Sequence, residues 1–167
     1  MPEKQTIERA KQDKREGKAA STQAGEFIRE EMHHIREGRH GARSAKQAIA
    51  IGLSKARQAG VDLPPPGKGE VSEKTRKSAQ HAYARGQSHP GHKPSATRSR
   101  ATEKALKREG HRAASHEALS RQAHAAAGQR TAAERSATAE KAARTKGPAE
   151  RSAAAKKAAR TRERAQS

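Results

Sequence analysis

Between residues 21 and 37 the apolar side chains Ala24, Phe27, Ile28, Met32 and Ile35 recur at intervals of three and four. On a helix they share one face, while Glu26, Arg29, Glu30, His33, Arg36 and Glu37 take the other. Ser21 and Thr22 can cap the start of this helix, and Gly38 stops it. Glu31 breaks the pattern by falling among the apolar positions. A carboxylate there reads as a boundary side chain reaching water or a basic neighbour.

A second helix is predicted over 45–59. Ser44-Ala45-Lys46-Gln47 has the form of a capping box, and Gly60 followed by Val61 suits a Schellman stop. Ala45, Ala48, Ile49, Gly52, Leu53, Ala56 and Ala59 share one face; Lys46, Ala50, Ser54 and Arg57 line the opposite one, and Ile51 lies outside the apolar arc. The spacing of Ala48, Gly52 and Ala56 lets another helix approach closely, at about 1 kcal/mol for placing Gly rather than Ala inside a helix. Residues 38–43 are a short connection, so the two helices are expected to be neighbours in a hairpin. Two helices of about 15 residues are marginal alone in water. Association through the Ala48, Gly52, Ala56 face is therefore expected, with a second copy or with the N-terminal segment. Residues 1–20 suggest a solvated helix in which Ile7 and Ala10 are the apolar anchors.

Beyond Leu63 the pattern fades. Pro64-Pro65-Pro66-Gly67 opens a stiff linker over 64–71. A further helix is predicted from Ser72 to Ala84, then a breaker from Gly86 to Pro94, within a basic region spanning 72–130. Of the chain's 51 hydrophobic residues 36 are Ala, and the last 97 residues hold four large apolar side chains, Val71, Tyr83, Leu106 and Leu119. Burying one such side chain stabilises by about 1.5–3 kcal/mol, whereas ordering each residue costs about 1–2 kcal/mol. This half cannot fold alone. The fold class expected is all-α: a small helical hairpin at about 21–60 with a partly disordered, helix-prone basic tail.

Charge sharpens the division. The chain carries +19; residues 1–70 hold 14 basic and 10 acidic groups, residues 71–167 hold 23 and 8. Such a polycation is expected to bind something anionic. The tail at 131–167 also repeats: 133–146, AERSATAEKAARTK, matches 149–162, AERSAAAKKAARTR, at 11 of 14 positions. Thr131 and Glu134 form a second capping box, and Gly147-Pro148 separates the copies. As a helix, the second copy sets Lys156, Lys157, Arg160 and Arg164 in one basic stripe backed by Ala; the first offers Lys141 and Arg144, diluted by Glu140. A polyanion neutralising the stripe would favour helix, so folding on binding is expected.

Residues 21–66, STQAGEFIREEMHHIREGRHGARSAKQAIAIGLSKARQAGVDLPPP, resemble the characteristic block of a family of short basic bacterial proteins of uncharacterised function. The segments REGHRAASHEALSRQAHAAA and RSAAAKKAART resemble the Ala- and Lys-rich tails of linker histones and bacterial histone-like proteins. The resemblance implies no catalytic residues, and none is carried over.

Enzyme chemistry finds no support. There is no phosphate-binding Gly loop, dinucleotide fingerprint or nucleophile elbow. The nine His never form H-E-x-x-H or a compact cluster in the sequence, and Cys is absent, so neither metal nor cofactor is expected. The apolar run from Ala48 to Leu53 is too short for a bilayer and the N-terminus lacks the regions of a signal peptide, which gives the expectation of a cytoplasmic, nucleoid-associated protein. The reading that follows is a non-enzymatic, histone-like protein binding duplex DNA without sequence preference. Arg39, Arg43, Lys46, Arg57, Lys141, Arg144, Lys156, Lys157, Arg160 and Arg164 are the expected phosphate contacts. An RNA- or ribosome-binding stress protein and a disordered protectant are the alternatives. The start of the 45–59 helix, with Arg39, Arg43, Ser44, Lys46 and Gln47, would offer phosphate the positive end of a helix dipole. The six-residue, two-glycine connection before it is longer than the turn of roughly three or four residues in a base-reading helix-turn-helix and fits one poorly.

Overall fold

The expected pair of helices forms, and both stop where Gly38 and Gly60 were expected to end them, while Ser21 and Thr22 lie inside the first helix rather than capping it. In a computed structural model, which describes residues 2–90, 95–145 and 147–166, α2 runs Ala20–Arg36 and α3 runs Ala45–Gln58. Ser44 Oγ accepts the Gln47 N–H at 3.2 Å, and the Gln47 side chain turns back to accept the N–H of Arg43 at 2.8 Å. At the other end of α3, Gly60 adopts φ +88°, and the N–H groups of Gly60 and Val61 donate to the carbonyls of Arg57 and Ala56. That is the expected Schellman stop. α2 begins one residue before Ser21, on an Ala19 N-cap without a side-chain hydrogen bond.

α3 crosses α2 at the predicted small face. A Cβ on Gly52 would stand 2.8 Å from Ile28 Cα, so the backbones meet where only hydrogen fits. The partner of the Ala48, Gly52, Ala56 face is thus α2 within the same chain.

The hairpin is part of a larger folded unit, Met1–Gln122, which corrects the expectation that the folded part is a small hairpin at about 21–60. Three additions cover what the pair alone would expose. α1 (Lys4–Arg15) docks on α2 through buried Thr6, Ala10 and Asp13, so it is not simply solvated. Ala10 joins Ala24, Phe27, Ala56 and Val61 in one apolar cluster, flanked by Ile7, Leu53 and Leu63. α4 (Glu73–Ser88), capped by Ser72, folds back onto α3. Its Gly86 is no breaker: a Cβ there would lie within 1.7 Å of the Arg57 carbonyl oxygen, and the helix continues to Ser88. Within the rest of the expected breaker, the helix does end at His89 and Pro90, and 91–94 fall outside the described residues. After α5 (Ala96–Leu106), a 3₁₀ turn at Arg112–Ala114 puts Ala113 and Ala114 beside Met32, Ile35, Ala42 and Ala48. Arg36 Nε ties that turn down by donating to the Ala114 carbonyl at 2.9 Å. Small residues make these contacts, so a core forms from few large side chains.

α6 spans His116–Gly128. The second unit, Ala123–Ser167, contains α7 (Ala132–Thr145) and α8 (Pro148–Gln166), one per repeat copy. Thr131 and Glu134 form the reciprocal capping box, with Thr131 N–H donating to Glu134 Oε2 at 2.8 Å and Glu134 N–H to Thr131 Oγ1 at 3.2 Å. These hydrogen bonds hold the Glu134 carboxyl below the usual carboxylate range. The repeats thus form two helices where a partly disordered, helix-prone tail was expected. Among the described residues the architecture is all-α: eight α-helices, one 3₁₀ turn and no strand.

Candidate nucleic-acid interface

The ten expected contact residues do not form one surface. Arg57 faces inward, leaving about 8% of its surface exposed. Its Nε and Nη2 donate to the Leu63 and Pro64 carbonyls at 3.0 and 3.2 Å, closing the turn out of α3, and burial lowers its pKa. The proline run needs those donors because its carbonyls have no helix to join. Arg39 is exposed but engaged, with Nη1 2.7 Å from Glu3 Oε1 and Nε 2.9 Å from Glu37 Oε2. It braces α1 against the end of α2.

Arg43 and Lys46, at the start of α3, point to solvent, with Arg43 Nε 3.7 Å from Glu109 Oε1. Beside them the loop N–H groups of Gly41 and Ala42 are already taken by the Leu106 and Gly110 carbonyls. In the second unit Lys141, Arg144, Lys156, Lys157, Arg160 and Arg164 are exposed. Arg144 lies 4.0 Å from Glu140 Oε2, consistent with the dilution expected for the first repeat.

Sequence reasoning missed a basic surface on and after α5. Arg100, Lys104, Lys107 and Arg108 line a shallow depression there, with Lys107 Nζ paired to Glu103 at 2.8 Å. The signal was present, since five of the eleven residues from 98 to 108 are basic.

It missed a second feature of different chemistry. Glu31 is fully buried, and Glu26 and Glu30, on the face that α1 covers, are largely buried. Lys55 Nζ sits 2.5 Å from Glu31 Oε2, supplying the basic neighbour expected for that position. His34 and His40, far apart from any metal motif in sequence, come within reach of the same carboxylate.

Residues 17–68 match the model of a family described as a family of unknown function (DUF6496). The matched segment holds α2, α3 and the turn after α3, and agrees in extent with the block that resembles an uncharacterised family. No curated protein and no solved structure matches the chain. Among the described residues no helix is long and apolar enough to cross a membrane.

Proposed function

We propose that the chain is a non-enzymatic nucleic-acid-binding protein that holds duplex DNA through its phosphates without reading base sequence, as a nucleoid-associated protein would. The observation that supports this reading most is the exposed stripe of Lys156, Lys157, Arg160 and Arg164 on the Ala-backed helix α8. α8 has 19 residues and so extends about 28 Å, a length over which duplex DNA presents a phosphate charge roughly every 1.7 Å. Arg43 and Lys46 and the basic surface of α5 add contacts from the first unit, while Arg57 and Arg39 serve the fold. Phosphate neutralisation favours the helical form of the repeats, so the tail gains order when bound.

Gel shifts with matched DNA and RNA duplexes of random sequence test this directly. Binding of DNA at near-physiological salt, with little preference among sequences, is the expected result. Stronger binding of the RNA duplex would move the assignment to RNA. No shift with either, together with protection of a test enzyme during drying, would replace it with a protectant role.

A further inference from the structure

We propose that Glu31, His34 and His40 form a binding site for a divalent first-row transition metal ion, independent of any nucleic-acid contact. One ligand atom from each residue lies within 4.8 Å of those from the other two. Glu31 and His34 stand three apart on α2 and so share a face; the short loop after α2 returns His40 to it. The side chains are enclosed, with 0% of Glu31, 12% of His34 and 14% of His40 exposed.

The carboxylate is the independent sign of a missing cation. Glu31 Oε2 is held by Lys55, but Glu31 Oε1 is buried and accepts no hydrogen bond. Its neighbour Glu30 also buries an unpartnered Oε1, 3.9 Å from the same ammonium. Two buried carboxylates thus share one lysine, and each keeps one oxygen without a hydrogen bond in a place where polar atoms must be paired. Across the cluster, His40 Nε2 lies 3.3 Å from Glu31 Oε1.

His40 is set up as a metal ligand. Its Nδ1 lies 3.1 Å from the Gly41 carbonyl, which can only accept, so this contact needs the proton on Nδ1 and leaves Nε2 turned towards Glu31 Oε1. With its lone pair on Nε2, the ring and the carboxylate oxygen would both serve as ligands to an ion between them. A separation of 3.3 Å is the edge expected for two ligands bonded at about 2.1 Å and separated by roughly tetrahedral to octahedral angles. His34 is oriented by Glu3 and Arg39, whose Oε1 and Nη1 lie 3.0 and 2.9 Å from its Nε2; a carboxylate behind an imidazole is a common support for a metal ligand. Two imidazoles and one carboxylate suit Zn²⁺, Co²⁺, Ni²⁺ or Fe²⁺ rather than Mg²⁺ or Ca²⁺. The remaining coordination positions open to a cleft of about 570 Å³ lined also by Ser54, Lys55 and Thr102.

The test uses the full chain, stripped with chelator and titrated calorimetrically with Zn²⁺ at slightly alkaline pH. The expected result is a saturable step of one ion per chain with a raised melting temperature. His34→Ala, His40→Ala and Glu31→Gln should each remove that step, whereas His116→Ala with His124→Ala, on exposed positions of α6, should keep it. Absence of the step in the wild-type chain, or its persistence in folded His40→Ala, overturns the proposal. Should the cluster variants fail to fold, Co²⁺ added to the wild-type chain decides: paramagnetic shifts confined to the His34 and His40 rings uphold the site, and shifts on other histidines refute it. None of these readouts involves DNA.

Discussion

Gly52 lies against Ile28 so closely that a Cβ on Gly52 would stand 2.8 Å from the Ile28 Cα. The glycine costs α3 about 1 kcal/mol of helix propensity, and the close approach of two backbones is what it makes room for. Gly52→Ala should therefore destabilise despite its better propensity, by about 1–3 kcal/mol from overpacking against backbone that cannot yield. Gly86→Ala should be worse, because the obstruction is the Arg57 carbonyl oxygen at 1.7 Å. Gly25→Ala, on α2 with nothing within 4 Å, should instead stabilise by up to about 1 kcal/mol. Urea unfolding of the three variants checks the signs; stabilisation by Gly52→Ala would refute close packing at this crossing.

These glycines also mark where the sequence was legible and where it was not. Ser44, Gly60, Thr131 and Gly147-Pro148 act through neighbours a few residues away, so the ends of α3 and the division of the repeats could be read from local chemistry. The docking of α4 depends on Gly86 meeting the carbonyl of Arg57, and the return of the 3₁₀ turn depends on Ala113 and Ala114 filling space beside Ile35 and Ala48. Small residues carry little hydrophobic signal, and a polar Gly in a basic stretch looks like a breaker. Glu26 and Glu30 were placed on a solvated face because α1, with few apolar anchors, gave no sign of docking; its Arg9 reaches Glu26 Oε2 at 2.7 Å. The Glu31, His34 and His40 cluster was hidden for a similar reason: its spacing depends on a loop path, not on helical periodicity.

Lys55 and Glu31 should behave as a unit. Removing the ammonium in Lys55→Met leaves a fully buried carboxylate without its close partner, and should cost about 3 kcal/mol in chelator-treated protein. Adding Glu31→Gln should recover much of that loss, since the neutral amide no longer needs a counter-ion. Denaturant unfolding of the double-mutant cycle measures the coupling; simple additivity would show that the pair contributes nothing specific.

Tyr83 gives a clean spectroscopic handle as the one tyrosine in a chain without Trp. Its hydroxyl donates to Asp62 Oδ1 at 2.6 Å, tying α4 to the segment after α3, and this hydrogen bond, ahead of burial and of the Asp62 charge, raises the phenol pKa. A raised folded-state pKa means the contribution is complete below the unfolded value near 10 and fades as pH rises through the folded one. Ultraviolet titration should show phenolate forming later than in the unfolded chain, and Asp62→Asn should bring it back towards the ordinary value. An unshifted titration in the wild-type chain would mean that α4 does not dock at this point.

If the first unit contacts DNA at the start of α3, Arg43→Ala with Lys46→Ala should weaken binding by a similar factor on every sequence. Both side chains are exposed beside a capped helix start, a geometry suited to phosphate, and the six-residue loop before it fits a base-reading helix-turn-helix poorly. A competition assay over a random duplex pool separates the cases: altered sequence preference in the variant would make this end a base reader.

The strongest demand on the DNA reading falls on α8. Each neutralised phosphate contributes about −0.9 to the slope of log K against log salt on duplex DNA. Replacing Lys156, Lys157, Arg160 and Arg164 together by Ala removes four exposed cations, and should flatten the slope by about 3 to 4 if all four meet phosphate. Charge-conserving exchanges of Lys and Arg at the same positions should hardly move it, because the counterions released are the same. Cutting the chain after residue 130, beyond the first unit's core, removes ten basic and four acidic residues and should flatten the slope further while α1 to α4 keep their helical signal. A cut at residue 70 would not be equivalent, since it strips α4 and the Ala113-Ala114 turn from the hairpin. Fluorescence anisotropy across a salt series reads each slope. If the four-residue replacement left it unchanged, the tail would not be the phosphate-binding element, and the assignment would shift to the basic surface of α5.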